Sequence, residues 1–190
     1  MKTLIVYYSF THNNEVLAQE LQKQLECDLL KIEDLKKRKG FSIFLDLLFN
    51  RKPAIKFDPV TLTDYDRVIF IAPIWAGKIA MPLKTFLTNE RAKITHYSFI
   101  TLCGGGNKNQ HNKITQELTF ILHASPDAVT ELWIHDLLKE NQKNSPGSVT
   151  NYKITNGDLL MFQHSIHKFI SQSETSIIHA SSEKSVSWNH

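Results

Sequence analysis

Two kinds of segment alternate along the chain. Leu4, Ile5, Val6, Tyr7 and Tyr8 form a short continuous apolar run, as do Val68, Ile69, Phe70 and Ile71, then Phe99, Ile100, Thr101 and Leu102. Val129 with Leu132, Trp133 and Ile134 repeats the theme more weakly, and Cys27 to Ile32 is a fifth case, interrupted by Asp28 and Lys31. Runs this short, rich in β-formers and apolar at consecutive positions predict strands buried on both faces of a parallel sheet. Between them, apolar residues recur at helical spacing: Leu17, Leu21 and Leu25; Leu83, Phe86 and Leu87; Ile114, Leu118, Ile121 and Leu122; Leu159, Phe162, Ile166 and Ile170. Each set places one apolar stripe on a helix. Alternating strands and helices predict right-handed crossovers and an α/β doubly wound fold.

Three segments depart from that alternation. Residues 36–57 hold a dense apolar stretch from Phe41 to Phe49 that Arg51-Lys52-Pro53 stops. The plainer reading is a short helix on the sheet edge; the sharper one is a lid, or a patch that meets a membrane or a partner. Residues 135–158 contain Pro146, Gly147, Asn151 and Gly157 and predict a long loop. After Gln172 the chain turns Ser-, Glu- and His-rich with little periodicity, which predicts one domain over 1–172 and a disordered tail over 173–190.

Composition narrows the class only a little. At 190 residues, the chain has the length of one domain with a substantial core. A net charge of +3 is too mild, and too scattered, to argue for nucleic acid; the basic run Lys36 to Lys39 reads as solvated surface. Apolar runs fall far short of the roughly 20 residues that span a bilayer, and the start of the chain lacks the features of a signal peptide, so a cytoplasmic protein is expected. Cys27 and Cys103 have neither CxxC nor metal-ligand spacing and are expected as reduced thiols.

In a doubly wound sheet, ligands bind beyond the carboxyl ends of the strands, and three such ends carry unusual chemistry. Ser9, Phe10, Thr11, His12, Asn13 and Asn14 lie between the first strand and first helix, where free backbone N–H groups and the positive end of the helix dipole favour an anion. The same residue types are ordinary helix caps. Pro73, Ile74, Trp75, Ala76, Gly77 and Lys78 follow the third strand; a planar indole in such a turn can stack on a planar ligand, or simply pack on the core. Cys103, Gly104, Gly105 and Gly106 follow the fourth, and glycines let the backbone approach a flat ligand or make a flexible turn.

Together these loops resemble the flavodoxin superfamily. Ser9 to Asn14 is similar to its S-x-T-G-N-T phosphate loop, with His12 in place of the usual Gly and Asn14 in place of the last Thr. Asp64-Tyr65-Asp66-Arg67-Val68-Ile69, Pro73 to Gly77 and Pro82 to Leu87 resemble its D-Y-D-x-V-I…P-x-W-A-G…P-L-x-x-F-L pattern. The resemblance covers residues 1–134 and, more loosely, the last helix. It implies a five-stranded parallel sheet of order 2-1-3-4-5 and non-covalent FMN. The phosphate would sit on the Ser9–Asn14 loop and the ring between the Trp75 and glycine segments.

Other users of this topology leave marks that are missing. There is no acidic pair at the end of the first strand, where Tyr7, Tyr8 and Ser9 stand, and no Arg six residues after Cys103, where Asn109 stands. Neither G-x-G-x-x-G nor G-x-x-x-x-G-K-[ST] occurs, and His12, His96, His111, His123 and His135 lack metal spacing. Three readings stay open. One is an FMN-dependent oxidoreductase passing electrons from NAD(P)H to a quinone-like or other small acceptor, with a homodimer compatible. The second is an electron carrier that docks on a redox partner protein. The third is a binding module without flavin. Carrier members of that superfamily are strongly acidic around the flavin, so the resemblance, set beside a pI of about 8.8 and Lys78 in the ring loop, implies the enzyme over the carrier.

Overall fold

The computed structural model describes residues 1–36, 51–105, 108–143, 145 and 147–186, with side chains through residue 176. In chain order the strands are β1 (Thr3–Tyr7), β2 (Asp28–Lys31), β3 (Glu33–Asp34), β4 (Ile55–Lys56), β5 (Arg67–Ile71), β6 (Ile74–Trp75), β7 (Lys78–Ile79), β8 (Tyr97–Cys103) and β9 (Ala128–Trp133). The helices are α1 (Asn13–Leu25), α2 (Met81–Glu90), α3 (Gln110–Leu122), α4 (Glu140–Lys143), α5 (Ser148–Asn151), α6 (Asn156–Leu159) and α7 (Gln163–Val186).

Five parallel strands make the sheet, in the order β2-β1-β5-β8-β9. Counting only these strands, this is the 2-1-3-4-5 order expected from the sequence. Alternation along β1 explains its unbroken apolar run. Leu4, Val6 and Tyr8 enter a core with Leu83 and Phe86 of α2 and Ile114 and Leu118 of α3. Ile5 and Tyr7 enter a second core with Leu17 and Leu21 of α1 and Ile166 and Phe169 of α7. A strand covered on both faces has no position at which a polar side chain reaches water. Among the described residues, no helix is long and apolar enough to cross a membrane.

Lys37 to Asn50, with the apolar stretch Phe41–Phe49, lies outside the described residues; its described flanks pair as the antiparallel hairpin of β3 with β4. Residues 135–158 are not a plain loop as expected, because a 3-10 turn (Ile134–Leu137) and α4, α5 and α6 punctuate them.

The disordered tail expected from residue 173 is corrected: α7 runs on to Val186. Two polar residues beyond Gln172 are tied into the domain, a feature hydrophobic periodicity does not register. Ser173 is fully buried and its hydroxyl donates to the Phe169 carbonyl (2.6 Å). Glu174 meets Arg67 of β5 (3.3 Å), whose guanidinium, only 2% exposed, also donates to Thr3 Oγ1 (2.9 Å). Ending the chain after Gln172 strips Arg67 of its carboxylate and should lower stability by about 1–3 kcal/mol. Urea unfolding measures this directly; an unchanged midpoint would show that the helix beyond Gln172 lies outside the cooperative unit.

Candidate functional site

The three predicted loops converge at the carboxyl end of the sheet, and specific contacts hold them there. The first loop leaves β1 and turns into α1 through His12, whose φ of 67° is left-handed. That is the conformation glycine adopts without penalty, so the position at which the sequence departs from the flavodoxin pattern keeps the backbone shape the pattern implies. The His12 carbonyl accepts from Glu15 N (3.0 Å) and Val16 N (3.1 Å), closing the first turn.

The two asparagines do structural work. Asn14, 3% exposed, donates through Nδ2 to the Leu102 carbonyl (3.1 Å) and accepts from Leu102 N through Oδ1 (2.9 Å). Its side chain thereby extends the hydrogen bonding of β8 and locks the first loop to the third. Asn13, 5% exposed, donates to the Tyr152 carbonyl (2.9 Å) and accepts from Ile154 N (3.1 Å). The Asn14 amide group is thereby engaged at the end of β8.

What the first loop leaves open is backbone. From Ser9 to Asn14, no backbone N–H meets an acceptor among the described residues. Ser9 Oγ is buried and likewise without a partner there. Buried polar groups are normally satisfied, so an orphaned hydroxyl beside a run of unused donors at a helix N-terminus marks a place for an oxygen-rich anion.

Glu15 puts a carboxylate in that same first turn. It accepts from Tyr7 OH (3.0 Å) and Lys31 Nζ (3.0 Å), and meets His12 Nδ1 at 2.7 Å. Burial alone would raise its carboxyl, but the hydrogen bonds from His12, Lys31 and Tyr7 together hold it below the usual glutamate range. Burial, and then the Glu15 carboxylate, push the Tyr7 phenol well above its ordinary value.

The second loop is a hairpin. β6 and β7 pair antiparallel, with Trp75 opposite Lys78, and the turn between them has positive φ at Ala76 (48°) and Gly77 (75°). Positive φ at both central residues is the two-residue turn whose twist suits a hairpin. Ala80 N donates to the Pro73 carbonyl (3.1 Å), and Ile74 packs against the core beside β1. The hairpin holds the Trp75 indole edge-to-face with Tyr8 (centroids 6.0 Å apart) and with Phe10 of the first loop (5.9 Å). Phe10 is 43% exposed. Lys78 instead lines a cleft of about 600 Å³ shared with Met81, Lys84 and Arg91 of the α2 side and Glu117 and Phe120 of α3.

In the third loop, Gly106 lies outside the described residues. Gly105 has a φ of 89°, and a Cβ there would come within 2.7 Å of Trp133. Gly104 is bounded by Val149, 3.3 Å from where its Cβ would stand. Burial, reinforced by Glu131, pushes the Cys103 thiol up to about 12. Buried at the end of β8, the Cys103 thiol packs into the protein and accepts a hydrogen bond from Gln110 Nε2 (3.3 Å).

The structure also draws in residues that sequence reasoning missed. Trp133 lies under Gly105, and its place at the end of the fifth sheet strand was readable as a site position. Glu15 was readable as a first-turn acid. Lys153, whose Nζ donates to the Thr11 carbonyl (3.3 Å) from 142 residues away, had no sequence signal. Among the described residues, no group of His, Cys, Asp and Glu is arranged to hold a metal ion.

An open parallel sheet with this strand order and helices on both faces is the flavodoxin-like fold. No family model matches the chain, and no curated protein sequence matches it. Solved structures do. The chain is similar to a flavoprotein from Lactobacillus acidophilus crystallised in complex with FMN, at 18% identity and a TM-score of 0.61, over 68% of this chain and 92% of that one. The NMR structure of the apo-form of the flavoprotein from the same organism matches at 23% identity, with a TM-score of 0.55, over 68% and 91%. The WrbA-like flavodoxin protein from Agrobacterium tumefaciens matches at 16% identity, with a TM-score of 0.51, over 92% and 98%.

The Asn14 clamp yields a direct test. Asn14→Ala leaves the Leu102 N–H and C=O unpaired in a buried position, which should lower stability by about 2–4 kcal/mol. Equilibrium unfolding reads the change; a loss below about 0.5 kcal/mol, the size typical of neutral surface changes, would mean that the two loops are not held by this residue.

Proposed function

We propose that this protein binds FMN non-covalently at the carboxyl end of its sheet and acts as an oxidoreductase, passing electrons from NAD(P)H to a quinone-like or other small acceptor. The observation that carries the reading is the first loop: unused N–H groups from Ser9 to Asn14, with the orphaned Ser9 hydroxyl among them, at the start of α1. That donor set fits a phosphate monoester. The FMN bound by the Lactobacillus acidophilus flavoprotein of the same fold supports the choice of ligand.

Bound FMN would supply the one- and two-electron redox chemistry. The chain's residues bind and orient it. The Ser9 and Thr11 hydroxyls and the loop N–H groups would take the phosphate. Trp75, held upright by Tyr8 and Phe10, would present an aromatic wall, and the Gly104–Gly105 backbone would bound the other side. Lys78 and its neighbours in the adjoining cleft supply positive charge next to the hairpin, which suits an anionic electron donor.

Two measurements test the reading. Addition of FMN to the purified protein should give the spectrum of bound oxidised flavin and quench tryptophan emission. Trp75→Phe should remove most of that quenching, while Trp133→Phe should remove less; the reverse order would place the ring against the glycine loop instead. Either NADH or NADPH should then bleach the bound flavin without another protein present. Reduction that requires a partner reductase protein would favour the carrier reading.

Thr11→Ala should weaken FMN by about ten- to a hundredfold, the worth of a hydrogen bond to a charged group, and riboflavin far less. Isothermal titration with both flavins checks it. Equal losses would show that Thr11 does not serve the phosphate.

A further inference from the structure

Resting on the FMN reading above, we infer that Lys153 is a cationic clamp that selects the phosphorylated flavin over the unphosphorylated one. The Ser9–Asn14 loop brings no Lys or Arg of its own. Its one ionisable side chain, His12, is engaged with Glu15. A phosphate monoester carries about −1.5 to −2 at neutral pH, so a loop of neutral donors beside a carboxylate lacks a counter-charge. Lys31, the cation nearest Glu15, is taken up by that carboxylate (3.0 Å).

Lys153 stands where the missing charge belongs. Its Nζ lies 3.3 Å from the Thr11 carbonyl, inside the loop, and it forms no ion pair with a carboxylate among the described residues. Its position is fixed on both sides by one residue of the same loop: the Asn13 amide accepts from Ile154 N and donates to the Tyr152 carbonyl. Buried Ile154 and the bond from Tyr152 OH to Asp158 (3.1 Å) anchor the segment further. Asp158 and Thr155 form the capping box that starts α6. A lysine so presented reaches the loop on a flexible stem from a rigid base. A neutral carbonyl is a weaker acceptor for an ammonium than a phosphate oxygen, so the ammonium would leave Thr11 O for the ligand.

The experiment is titration of FMN and of riboflavin into the full-length protein and its Lys153→Gln and Lys153→Arg variants, at low and at raised salt. Lys153 is solvent-exposed, so neither variant disturbs the core. The expected result is an FMN affinity lowered about ten- to thirtyfold in Lys153→Gln, largely kept in Lys153→Arg, with riboflavin affinity unchanged in both. The salt dependence of FMN binding should also flatten in Lys153→Gln. Unchanged FMN affinity in Lys153→Gln, or equal losses for FMN and riboflavin, would overturn the clamp while leaving FMN binding intact. If the unaltered protein binds neither flavin, the functional reading and the clamp fall together.

Discussion

Two adjacent asparagines hold the far ends of the chain together. Asn14 completes the hydrogen bonding of Leu102 at the end of β8, and Asn13 does the same for Tyr152 and Ile154. Each side chain replaces a strand that is not there: it offers one donor and one acceptor, as a neighbouring peptide unit would. The bonds to Leu102 and Ile154 are buried, where an unmet partner is most costly, and the one to Tyr152 is part-buried. The start of α1, the end of β8 and the segment before α6 are consequently joined by direct hydrogen bonds. Every candidate ligand contact in the first and third loops depends on those bonds.

The clamp also clarifies a trade made in the first turn. A helix that begins with Asn would ordinarily use the amide as its cap, yet the cap position is His12, with no side-chain hydrogen bond to the helix backbone. Freed from capping, the asparagines bridge loops, and the N–H groups they would have satisfied remain open. Glu15 partly answers the helix dipole instead, but its charge is drawn sideways towards Tyr7 and Lys31. The open donors and the local carboxylate thus sit on one turn without cancelling.

Much of the fold was legible in the sequence because burial on both faces leaves an unmistakable trace. Leu4 to Tyr8 and Val68 to Ile71 read as strands for the reason they are strands, and the helical stripes of Leu17, Leu21 and Leu118 enter the cores. The candidate site was legible only as loops. Residue types and spacing located Ser9–Asn14, the Trp75 hairpin and the Cys103–Gly105 turn at one end of the sheet. They gave no sign of which side chains face a ligand and which brace the loop, because that division depends on partners far away in sequence. Asn14 next to Leu102 and Lys153 next to Thr11 are examples. Ser173 and Glu174 escaped notice for a related reason: polar residues that anchor a helix through a hydroxyl or a buried Arg67 leave no mark in a hydrophobic pattern.

Gly105 is usually the kind of residue credited with freedom, and here it has very little. Its φ of 89° excludes most other residues, and the Trp133 ring occupies the space in which any side chain would have to stand. The indole acts as a floor poured against the bare backbone. A loop built this way cannot adjust to different ligands by flexing at that point; to shift, it must lift off an aromatic plane at the end of β9. The described part of the glycine turn is therefore a bare-backbone surface backed by the Trp133 ring. Under the FMN proposal, selectivity at that wall would be a matter of thickness, with a flat ring lying on it and a bulkier ligand meeting the indole behind it.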